Sequence, residues 1–437
     1  MNIMNEGSMI LKNARLVDGS VVDLRIENGL IAEIGTALAK AGTLIDLEKN
    51  LLIPGLVDLH THLREPGRED SETVATASAA AVTGGYTALS AMANTFPVAD
   101  TAGVVEQVFR LGQEAGLCDV FPIGAVTQGL NGIALAELGA MANSIARVRM
   151  FSDDGKCVAD PLLMRRALEY VKSFNGIIAQ HAQDPRLTVN AQMNEGIVSG
   201  KLGLTGWPAV AEEAIIARDI LLAEHVGSRL HICHLTTAGG VELVRTAKAR
   251  GIKVTAEVTP HHLLLTDELV VGYDPVYKVN PPLRTAQDVE ALRTGLADGT
   301  IDIVATDHAP HPTEDKDCEW QVAAFGMLGL ETALSVVVSA MIDTKMMDWA
   351  KLVDRMSIAP AKIAGYSAQG QRIAVGSAAN LAVIDTSAVW QVDRNRLASK
   401  SRNTPFHQMN LSAVVKRTFF NGLQVFNDGE VLNRGGK

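Results

Sequence analysis

The chain has 437 residues, of which 47% are hydrophobic and 20% charged, and its formal net charge is −10. This length exceeds one ordinary hydrophobic core, so we expect one large domain and a smaller one. The composition is typical of a globular protein, and the acidic charge argues against a nucleic-acid partner, because such proteins carry basic patches.

Neither the N-terminus nor the cysteines indicate export. Residues 1–8 lack a basic segment followed by an apolar one, so no secretory signal is expected. The uncharged segment 74–99 is interrupted by Gly84-Gly85 and Pro97, which favours a helix, a turn and a strand over a membrane span. Four cysteines without paired spacing are typical of reduced thiols in a cytoplasmic protein; they are Cys118, Cys157, Cys233 and Cys318.

Both ends of the chain have the pattern of short β-strands. Residues 9–53 alternate apolar and polar positions, with a hairpin signal at Asn28-Gly29. The part from about residue 370 onward has the same pattern, with a second turn signal at Asn421-Gly422. We therefore predict one small β-sandwich domain built from residues 1–54 and 366–437.

The central residues 55–365 alternate strand-like runs with alanine-rich amphipathic segments such as 161–174 and 211–225. Strands that alternate with helices predict a parallel sheet, and eight such units fit a (β/α)8 TIM-like barrel. An open doubly wound sheet is the alternative, weakened because no Gly-x-Gly-x-x-Gly follows the first strand. The eight runs are 56–62, 86–93, 120–126, 147–151, 176–181, 229–234, 253–258 and 301–306.

Metal-ligating side chains stand where several of these runs end. His60 and His62 end the first run, and residues two apart on a strand point to the same face. A His-x-His pair alone is equally typical of a polar strand-to-loop junction. The ends of all strands meet at one mouth of a barrel, and later runs end at Asp153-Asp154, His181, His234 and Asp307.

This set of side chains predicts hydrolytic metal chemistry. Imidazole suits zinc, and four imidazoles with two carboxylates are enough for two divalent cations. Two such cations about 3.5–4 Å apart share a hydroxide that forms at neutral pH. Hydroxide attacks carbonyl carbon, so the expected reaction is hydrolysis of an amide or ester, or its reverse.

The motifs at the strand ends resemble those of the amidohydrolase superfamily and, within it, the bacterial type I dihydroorotases. His-x-His alone marks only the superfamily, whereas the combination of motifs is highly specific. The resemblance runs from about residue 9 to 430, and the segments that carry it are 54–67, 91–95, 151–155, 231–235, 278–284, 305–311 and 399–406.

The resemblance implies two zinc ions per chain, each held by one pair of histidines: His60 with His62, and His181 with His234. An acidic residue from the fourth run bridges them, where hydantoinase-like relatives have a carboxylated lysine. This chain has Asp153-Asp154 there, and the spacing to Gly155 and His181 favours Asp154. The absence of a lysine favours the type I dihydroorotase branch. The sequence around His181 departs from the family at Gln183.

The resemblance makes Asp307 both a metal ligand and the catalytic proton shuttle. A carboxylate in this place takes the proton of the hydroxide and hands it to the leaving nitrogen, a role worth about 10²–10⁴-fold in rate. An isolated aspartate here would be read as a helix cap. Five other ligands at the same mouth favour the catalytic role.

The remaining site residues face the substrate. Arg64 offers a two-pronged donor for a ring carboxylate, its alternative being a surface ion pair with Glu65 or Glu69. The resemblance adds further substrate contacts: Asn94 and His311 for the anion, and Asn280 with the Phe325 and Gly326 backbone for the pyrimidine ring. It also places His62 among the substrate-binding residues.

Other polar residues near the motifs are expected to be structural. His231 has the opposite strand parity to His234 and is predicted to face the helical layer; Cys233 is predicted to be a core residue. Asp58 lies on the face of His60 and His62, one step deeper, and is expected to support them. The other histidines in this group are His261, His262 and His308.

The sequence therefore predicts a cytoplasmic, zinc-dependent dihydroorotase that interconverts N-carbamoyl-L-aspartate and L-dihydroorotate in de novo pyrimidine (UMP) biosynthesis. One alternative is another cyclic amidohydrolase, such as a dihydropyrimidinase, hydantoinase or allantoinase. The other is a non-catalytic homologue that serves as a partner of aspartate transcarbamoylase. The family implies a homodimer, association with aspartate transcarbamoylase stays open, and loop 312–325 is a candidate mobile lid.

Overall fold

The computed structural model describes residues 8–39 and 42–432, so most of the N-terminal segment 1–8 lies outside the described residues. Within those two ranges, no helix is both long enough and apolar enough to cross a bilayer. The strands, in chain order, are β1 (Met9–Arg15), β2 (Val21–Glu27), β3 (Leu30–Gly35), β4 (Thr43–Asp46), β5 (Leu51–Pro54), β6 (Leu56–Thr61), β7 (Tyr86–Ala91), β8 (Asp119–Pro122), β9 (Met150–Phe151), β10 (Ile177–Gln180), β11 (Met193–Asn194), β12 (Gly206–Trp207), β13 (Arg229–Ile232), β14 (Val254–Val258), β15 (Ile303–Val304), β16 (Leu381–Gln391), β17 (Asn410–Phe420), β18 (Leu423–Asn427) and β19 (Glu430–Val431).

Helices separate the central strands. They are α1 (Val74–Thr83), α2 (Ala102–Ala115), α3 (Leu138–Asn143), α4 (Pro161–Lys172), α5 (Ile197–Leu202), α6 (Val210–Val226), α7 (Ala238–Ala249), α8 (Ala286–Asp298), α9 (Thr313–Lys316), α10 (Ala333–Val337), α11 (Trp349–Val353) and α12 (Ala359–Ala364). The π-helical turns Val338–Ile342 and Asp354–Ile358 continue α10 and α11. Short 3-10 turns occur at Gln128–Leu130, His261–Leu263, Asp267–Gly272, Pro275–Tyr277 and Arg394–Arg396.

Helix α4 shows how the sequence sets these elements. Asp160 caps its N-terminus by accepting from the backbone N–H of Leu163, and proline occupies the first turn. Its buried residues recur at helical spacing, which places one apolar stripe against the sheet; they are Met164, Ala167, Leu168 and Val171. The uncharged segment 74–99 is likewise helix α1, a Gly84-Gly85 turn and strand β7, as predicted.

Eight parallel strand segments form the central body. Strands β6, β7 and β8 pair in one run, and β9, β10, β13, β14 and β15 pair in a second. Parallel bridges link the two runs at both ends, from Gly124 to Phe151 and from Thr61 to His308. All residues of β6 and β7 are buried, as expected of parallel strands covered on both faces. The fold is mixed α/β, and the residues after each of these strands lie at one end of it.

The two ends of the chain share one mixed sheet of nine strands. Its order is β19-β18-β17-β16-β5-β1-β2-β3, and β4 also pairs with β1. The join between the two ends is the antiparallel pairing of β5 with β16. Asn28-Gly29 and Asn421-Gly422 form the predicted two-residue hairpin turns, with positive φ at both positions. The β-sandwich packing expected of this unit stays a prediction.

Candidate metal centre and substrate pocket

His60 and His62 stand at the end of β6 and face the same carboxylate. His60 Nε2 lies 3.4 Å from Asp154 Oδ1, and His62 Nε2 lies 3.3 Å from Asp154 Oδ2. Both rings are almost entirely buried. Two imidazoles on one strand face therefore converge on an acidic group from the fourth strand segment.

His181 and His234 reach Asp154 from the other side. Nδ1 of His181 and Nε2 of His234 each lie 3.2 Å from Asp154 Oδ1, and these two nitrogens are 2.8 Å apart. Asp307 completes the cluster, with Oδ1 3.1 Å from Nε2 of His62 and 3.5 Å from Nε2 of His60. The structure thus brings together all six residues that the sequence predicts as metal ligands.

The two neighbouring aspartates of the fourth segment have different surroundings. Asp153 Oδ1 accepts from the backbone N–H groups of Val126 and Thr127 at 2.8 and 2.9 Å, and its other oxygen accepts from the Thr127 hydroxyl. Asp153 therefore holds the loop after β8, while Asp154 faces the four imidazoles.

Three of these site residues have strained backbones. His234, Asp307 and Arg64 have φ of 30°, 47° and 64°, in the left-handed region that costs non-glycine residues energy. Each follows the end of a parallel strand, where leaving the regular strand conformation turns the side chain toward the mouth. Backbone strain at three neighbouring positions is typical of a functional site.

The carboxylates and imidazoles of the cluster hold each other in their charged forms. Burial alone would raise the pKa of Asp154, yet the facing His60, His181 and His234 hold it well below its usual value. Burial likewise opposes the charged form of His60, but Asp154, Glu257 and Asp307 raise the pKa of its ring well above the usual value. The carboxylates are thus stabilised by protons on the facing imidazoles. A bound metal cation can take the place of those protons.

The donor set fits divalent metal ions. Ligand atoms of His60, Asp154 and His234 lie within 4.8 Å of one another, as do those of His60, His62 and Asp307. Nε2 of His60 is buried and lacks a hydrogen-bond partner among the residues that the structure describes. An unpartnered imidazole nitrogen aimed at carboxylates is the arrangement that zinc would satisfy.

Glu257, which was not predicted from the sequence, supports this cluster from β14. Its carboxylate lies 2.5 Å from Nδ1 of His60 and 3.0 Å from Nε2 of His231, and it accepts from the backbone N–H of His234 at 3.2 Å. The prediction that His231 faces the helical layer is therefore wrong. The available signal was a buried acidic residue inside a short strand with no other charged residue.

Asp58 lies beneath the cluster, as expected. Its carboxylate accepts from the backbone N–H groups of His60 and Thr306, which ties β6 to the last parallel strand segment. Burial raises the pKa of Asp58 to about 7. Cys233 is buried among core residues, as predicted, and burial raises the pKa of its thiol.

Three further histidines lie outside the cluster. His308 Nδ1 accepts from the backbone N–H groups of Gly329 and Leu330. His262 Nδ1 lies 2.7 Å from the Thr259 hydroxyl, and burial lowers the pKa of the neighbouring His261 to about 3. None of the three is among the groups of ligand atoms found close together in the described residues.

Arg64 and His311 lie beside the cluster. Nη2 of Arg64 is 3.3 Å from Nε2 of His311, and Nε of Arg64 donates to the Pro310 carbonyl at 3.0 Å. His311 Nε2 is also 2.8 Å from the Phe325 carbonyl. The next residue, Gly326, has a φ of +146°, and a Cβ there would lie only 2.7 Å from the His311 ring. This backbone therefore requires glycine.

Burial, with Arg64 nearby, lowers the pKa of His311 to about 2, so its ring is neutral. Burial also lowers the pKa of Arg64 to about 10, which leaves the guanidinium charged at neutral pH. Of these two neighbouring side chains, Arg64 is therefore the one that offers a positive charge to an anionic ligand.

Two amides link the cluster to the rest of the pocket. Asn94 Oδ1 lies 2.8 Å from Nδ1 of His62. Asn280 donates to Gln183 Oε1 at 3.3 Å, and the same oxygen lies 2.8 Å from Nε2 of His181. Gln183 therefore orients His181. Asn94 contacts one pair of histidines directly, and Asn280 is linked to the other pair through Gln183.

Sequence comparison decides the family. A family model described as dihydro-orotase-like matches residues 49–239. The dihydroorotase of Streptomyces coelicolor is 64% identical over 423 residues, which is 97% of this chain and 99% of the relative. The chain belongs to the dihydroorotase family. The Mycobacterium tuberculosis member of the dihydroorotase family is 54% identical over 416 residues, covering 95% of this chain and 97% of the relative.

Solved structures agree with a cyclic amidohydrolase fold. The L-hydantoinase (dihydropyrimidinase) of Arthrobacter aurescens has a TM-score of 0.86 at 26% identity, covering 97% of each chain. The dihydropyrimidinase of Brevibacillus agri has a TM-score of 0.83 at 20% identity, covering 98% of this chain and 97% of the other, and shows the fold alone. The predicted membership of the dihydroorotase family is confirmed.

Proposed function

We propose that this protein is a dihydroorotase, which interconverts N-carbamoyl-L-aspartate and L-dihydroorotate in de novo pyrimidine biosynthesis. One observation carries the proposal: four imidazoles and two carboxylates converge beside a partly buried, charged arginine. The cluster of imidazoles and carboxylates suits amide hydrolysis, and the arginine suits a substrate with a carboxylate on its ring. The full-length similarity to dihydroorotases supports the same assignment.

The six clustered residues would hold two divalent cations, and zinc suits their nitrogen and oxygen donors. His60 and His62 would serve one ion and His181 and His234 the other. Asp154 would serve both, because it alone contacts all four rings. When bound, two such cations lower the pKa of a shared water and so supply a nucleophile at neutral pH.

Asp307 is the proposed proton carrier. Its carboxylate lies 3.1 Å from Nε2 of His62. Burial alone would raise the pKa of Asp307, but His60 and His62 keep it below its usual value. An anionic carboxylate at this place accepts the proton of the attacking water and delivers it to the ring nitrogen as the amide bond breaks. In the cyclisation direction, it takes the proton from the nitrogen that closes the ring and gives it to the departing hydroxide, which leaves as water.

Arg64 is proposed to bind the ring carboxylate, with Asn94 and His311 beside it. Its planar fork matches a carboxylate, and the neutral His311 leaves it as the source of positive charge. His62 would contact the substrate from the metal side. Asn280 has a buried, unpartnered Oδ1 among the described residues, which is available for a ring N–H.

The strand pairings support a closed (β/α)8 barrel over residues 55–365. The parallel segments pair in sequence order. The Gly124–Phe151 bridge joins the third segment to the fourth, and the Thr61–His308 bridge joins the first to the last. Residues 1–54 and 366–437 would then form the accessory β domain. The homodimer, the cytoplasmic location and any association with aspartate transcarbamoylase stay predictions.

Two rivals are less well supported. Dihydropyrimidinases, hydantoinases and allantoinases act on rings without the carboxylate, so Arg64 would have little to bind. A non-catalytic homologue would be expected to have lost ligands, whereas all six are present and close together.

The deciding experiment compares turnover of dihydroorotate, dihydrouracil and allantoin by the purified protein, with and without a chelator. We expect dihydroorotate to be preferred, and its hydrolysis to stop after chelation and return with zinc. Preference for dihydrouracil, or activity that survives complete removal of metal, would refute the proposal.

A further inference from the structure

Two buried lysines beside the pocket, Lys278 and Lys316, each donate hydrogen bonds to backbone carbonyls of the segment that carries the other. Nζ of Lys316, in loop 312–325, donates to the carbonyls of Lys278, Ala324 and Gly326 at 3.1, 2.9 and 3.1 Å. Nζ of Lys278 donates back into the loop, to the carbonyls of Trp320 and Gln321 at 2.6 and 3.2 Å. We call Lys278, Lys316 and these carbonyls the lysine clasp.

Neither lysine of the clasp has an acidic partner among the described residues. All five hydrogen bonds of the two ammonium groups go to backbone carbonyls. Lys278 is 2% exposed and Lys316 is 8% exposed. Burial of charge without a counter-ion costs stability, so the clasp is better explained by what it holds than by any stability it adds.

The clasp connects two sides of the substrate pocket. Lys278 lies two residues before Asn280, and its carbonyl also accepts from the backbone N–H of Gly326 at 3.0 Å. Its ammonium lies 4.5 Å from the centre of the Phe325 ring. Phe325 in turn binds His311 through its carbonyl. Loss of the Lys316 ammonium would remove the hydrogen bonds that flank Phe325, to Ala324 and Gly326. Loss of the Lys278 ammonium would remove those to Trp320 and Gln321. Either loss would weaken the attachment of the loop to the segment that carries Asn280.

We propose that the lysine clasp holds loop 312–325 closed against the pocket and so positions Phe325, Gly326 and His311 for binding substrate. Lys278 and Lys316 are positioning residues, because they act through these backbone groups and not on the reacting atoms. This inference rests on the proposed function, since it takes the pocket to bind dihydroorotate.

The kinetic test uses Lys316→Met and Lys278→Met, which keep side-chain bulk and remove the ammonium. Lost hydrogen bonds to a charged donor predict a rise of about 10- to 100-fold in KM for dihydroorotate, with kcat changed less than about 3-fold because the chemical groups are untouched. Lys362→Met, at an exposed lysine of α12, is the matched control and should behave as wild type. Unchanged KM, or a fall in kcat alone, would overturn the proposal.

A double variant tests whether the two lysines act as one unit. The Lys278→Met/Lys316→Met protein should show a KM close to that of the worse single variant, because either change already opens the clasp. Effects that multiply would mean two independent lysines and would contradict the clasp.

Hydrogen exchange tests the clasp without turnover. Gly326 N–H donates to Lys278 and Ala324 N–H donates to Asp315, so both should exchange slowly in the wild-type protein and rapidly in Lys316→Met. Rapid exchange in the wild type would overturn the proposal even if neither variant folds. Slow exchange in a protein that does not turn over dihydroorotate would support the clasp and refute only the proposed function.

Discussion

Replacing Glu257 with glutamine is expected to weaken metal binding without changing any of the six proposed ligands. The Glu257 carboxylate lies 2.5 Å from Nδ1 of His60. An acceptor in this place keeps the proton on Nδ1, so that Nε2 retains the lone pair that binds metal. The same carboxylate accepts from the backbone of His234, a ligand of the other ion.

The expected loss of zinc affinity depends on which hydrogen bonds glutamine can still make. Its side-chain oxygen still accepts from His60, so the variant loses the charge of the acceptor and not the bond. Hydrogen bonds to charged groups contribute about 1.5–3 kcal/mol and neutral ones about 0.5–1.5 kcal/mol. A difference of about 1.4 kcal/mol corresponds to about tenfold weaker zinc binding. Glu257→Leu removes the bond as well and should weaken binding by about 100-fold.

The assay titrates zinc into metal-stripped protein against a competing chelator. Glu290→Gln, at an exposed position on α8, removes the same charge from the surface and is the control. At saturating zinc, the kcat of Glu257→Gln should return to within a few-fold of wild type. Equal zinc affinities for Glu257→Gln, Glu290→Gln and the wild type would refute the view that Glu257 orients His60.

Three further predictions concern carboxylates. Asp307→Asn should lower kcat by about 10²–10⁴-fold at saturating zinc; unchanged activity would remove Asp307 from the mechanism. Asp154→Asn should fail to retain zinc, whereas Asp153→Asn should retain it and lose about 1–3 kcal/mol of stability, measured by metal analysis and denaturant unfolding. Burial raises the pKa of Asp219 from 3.8 to about 6, so the folded state keeps a proton that the unfolded chain releases, and this contribution to stability is lost as pH rises from 3.8 through about 6. The free energy of unfolding of Asp219→Asn should lack this decrease with pH. Identical pH profiles of unfolding for the variant and the wild type would contradict the prediction.

Apolar periodicity predicted the central strands well because burial on both faces leaves few polar residues inside them. The observed strands are shorter than the runs: the run 301–306 contains only β15 (Ile303–Val304) as paired strand. Backbone that turns into the mouth leaves the ladder early, as the φ of Asp307 shows. The small parallel pair β11–β12 lies in loops that carry no periodic signal.

Side-chain direction was predictable inside strands and failed beyond their ends. The prediction that His231 and His234 point to opposite faces assumes that side chains alternate along one continuous strand. Strand β13 ends at Ile232, and His234 has a φ of 30°, so the alternation is broken between the two histidines. The contact of His231 with Glu257 depends on distant strands meeting, which no local pattern encodes.

The pairing of β5 with β16 has a consequence for synthesis of the chain. These strands lie about 330 residues apart and pair from Leu51–Ile384 to Pro54–Leu381. A ribosome must therefore release nearly the whole polypeptide before the edge of β5 finds its neighbour. During translation that exposed edge is open to pairing with other nascent chains. Truncation before residue 381 would make this exposure permanent, and we expect such products to aggregate.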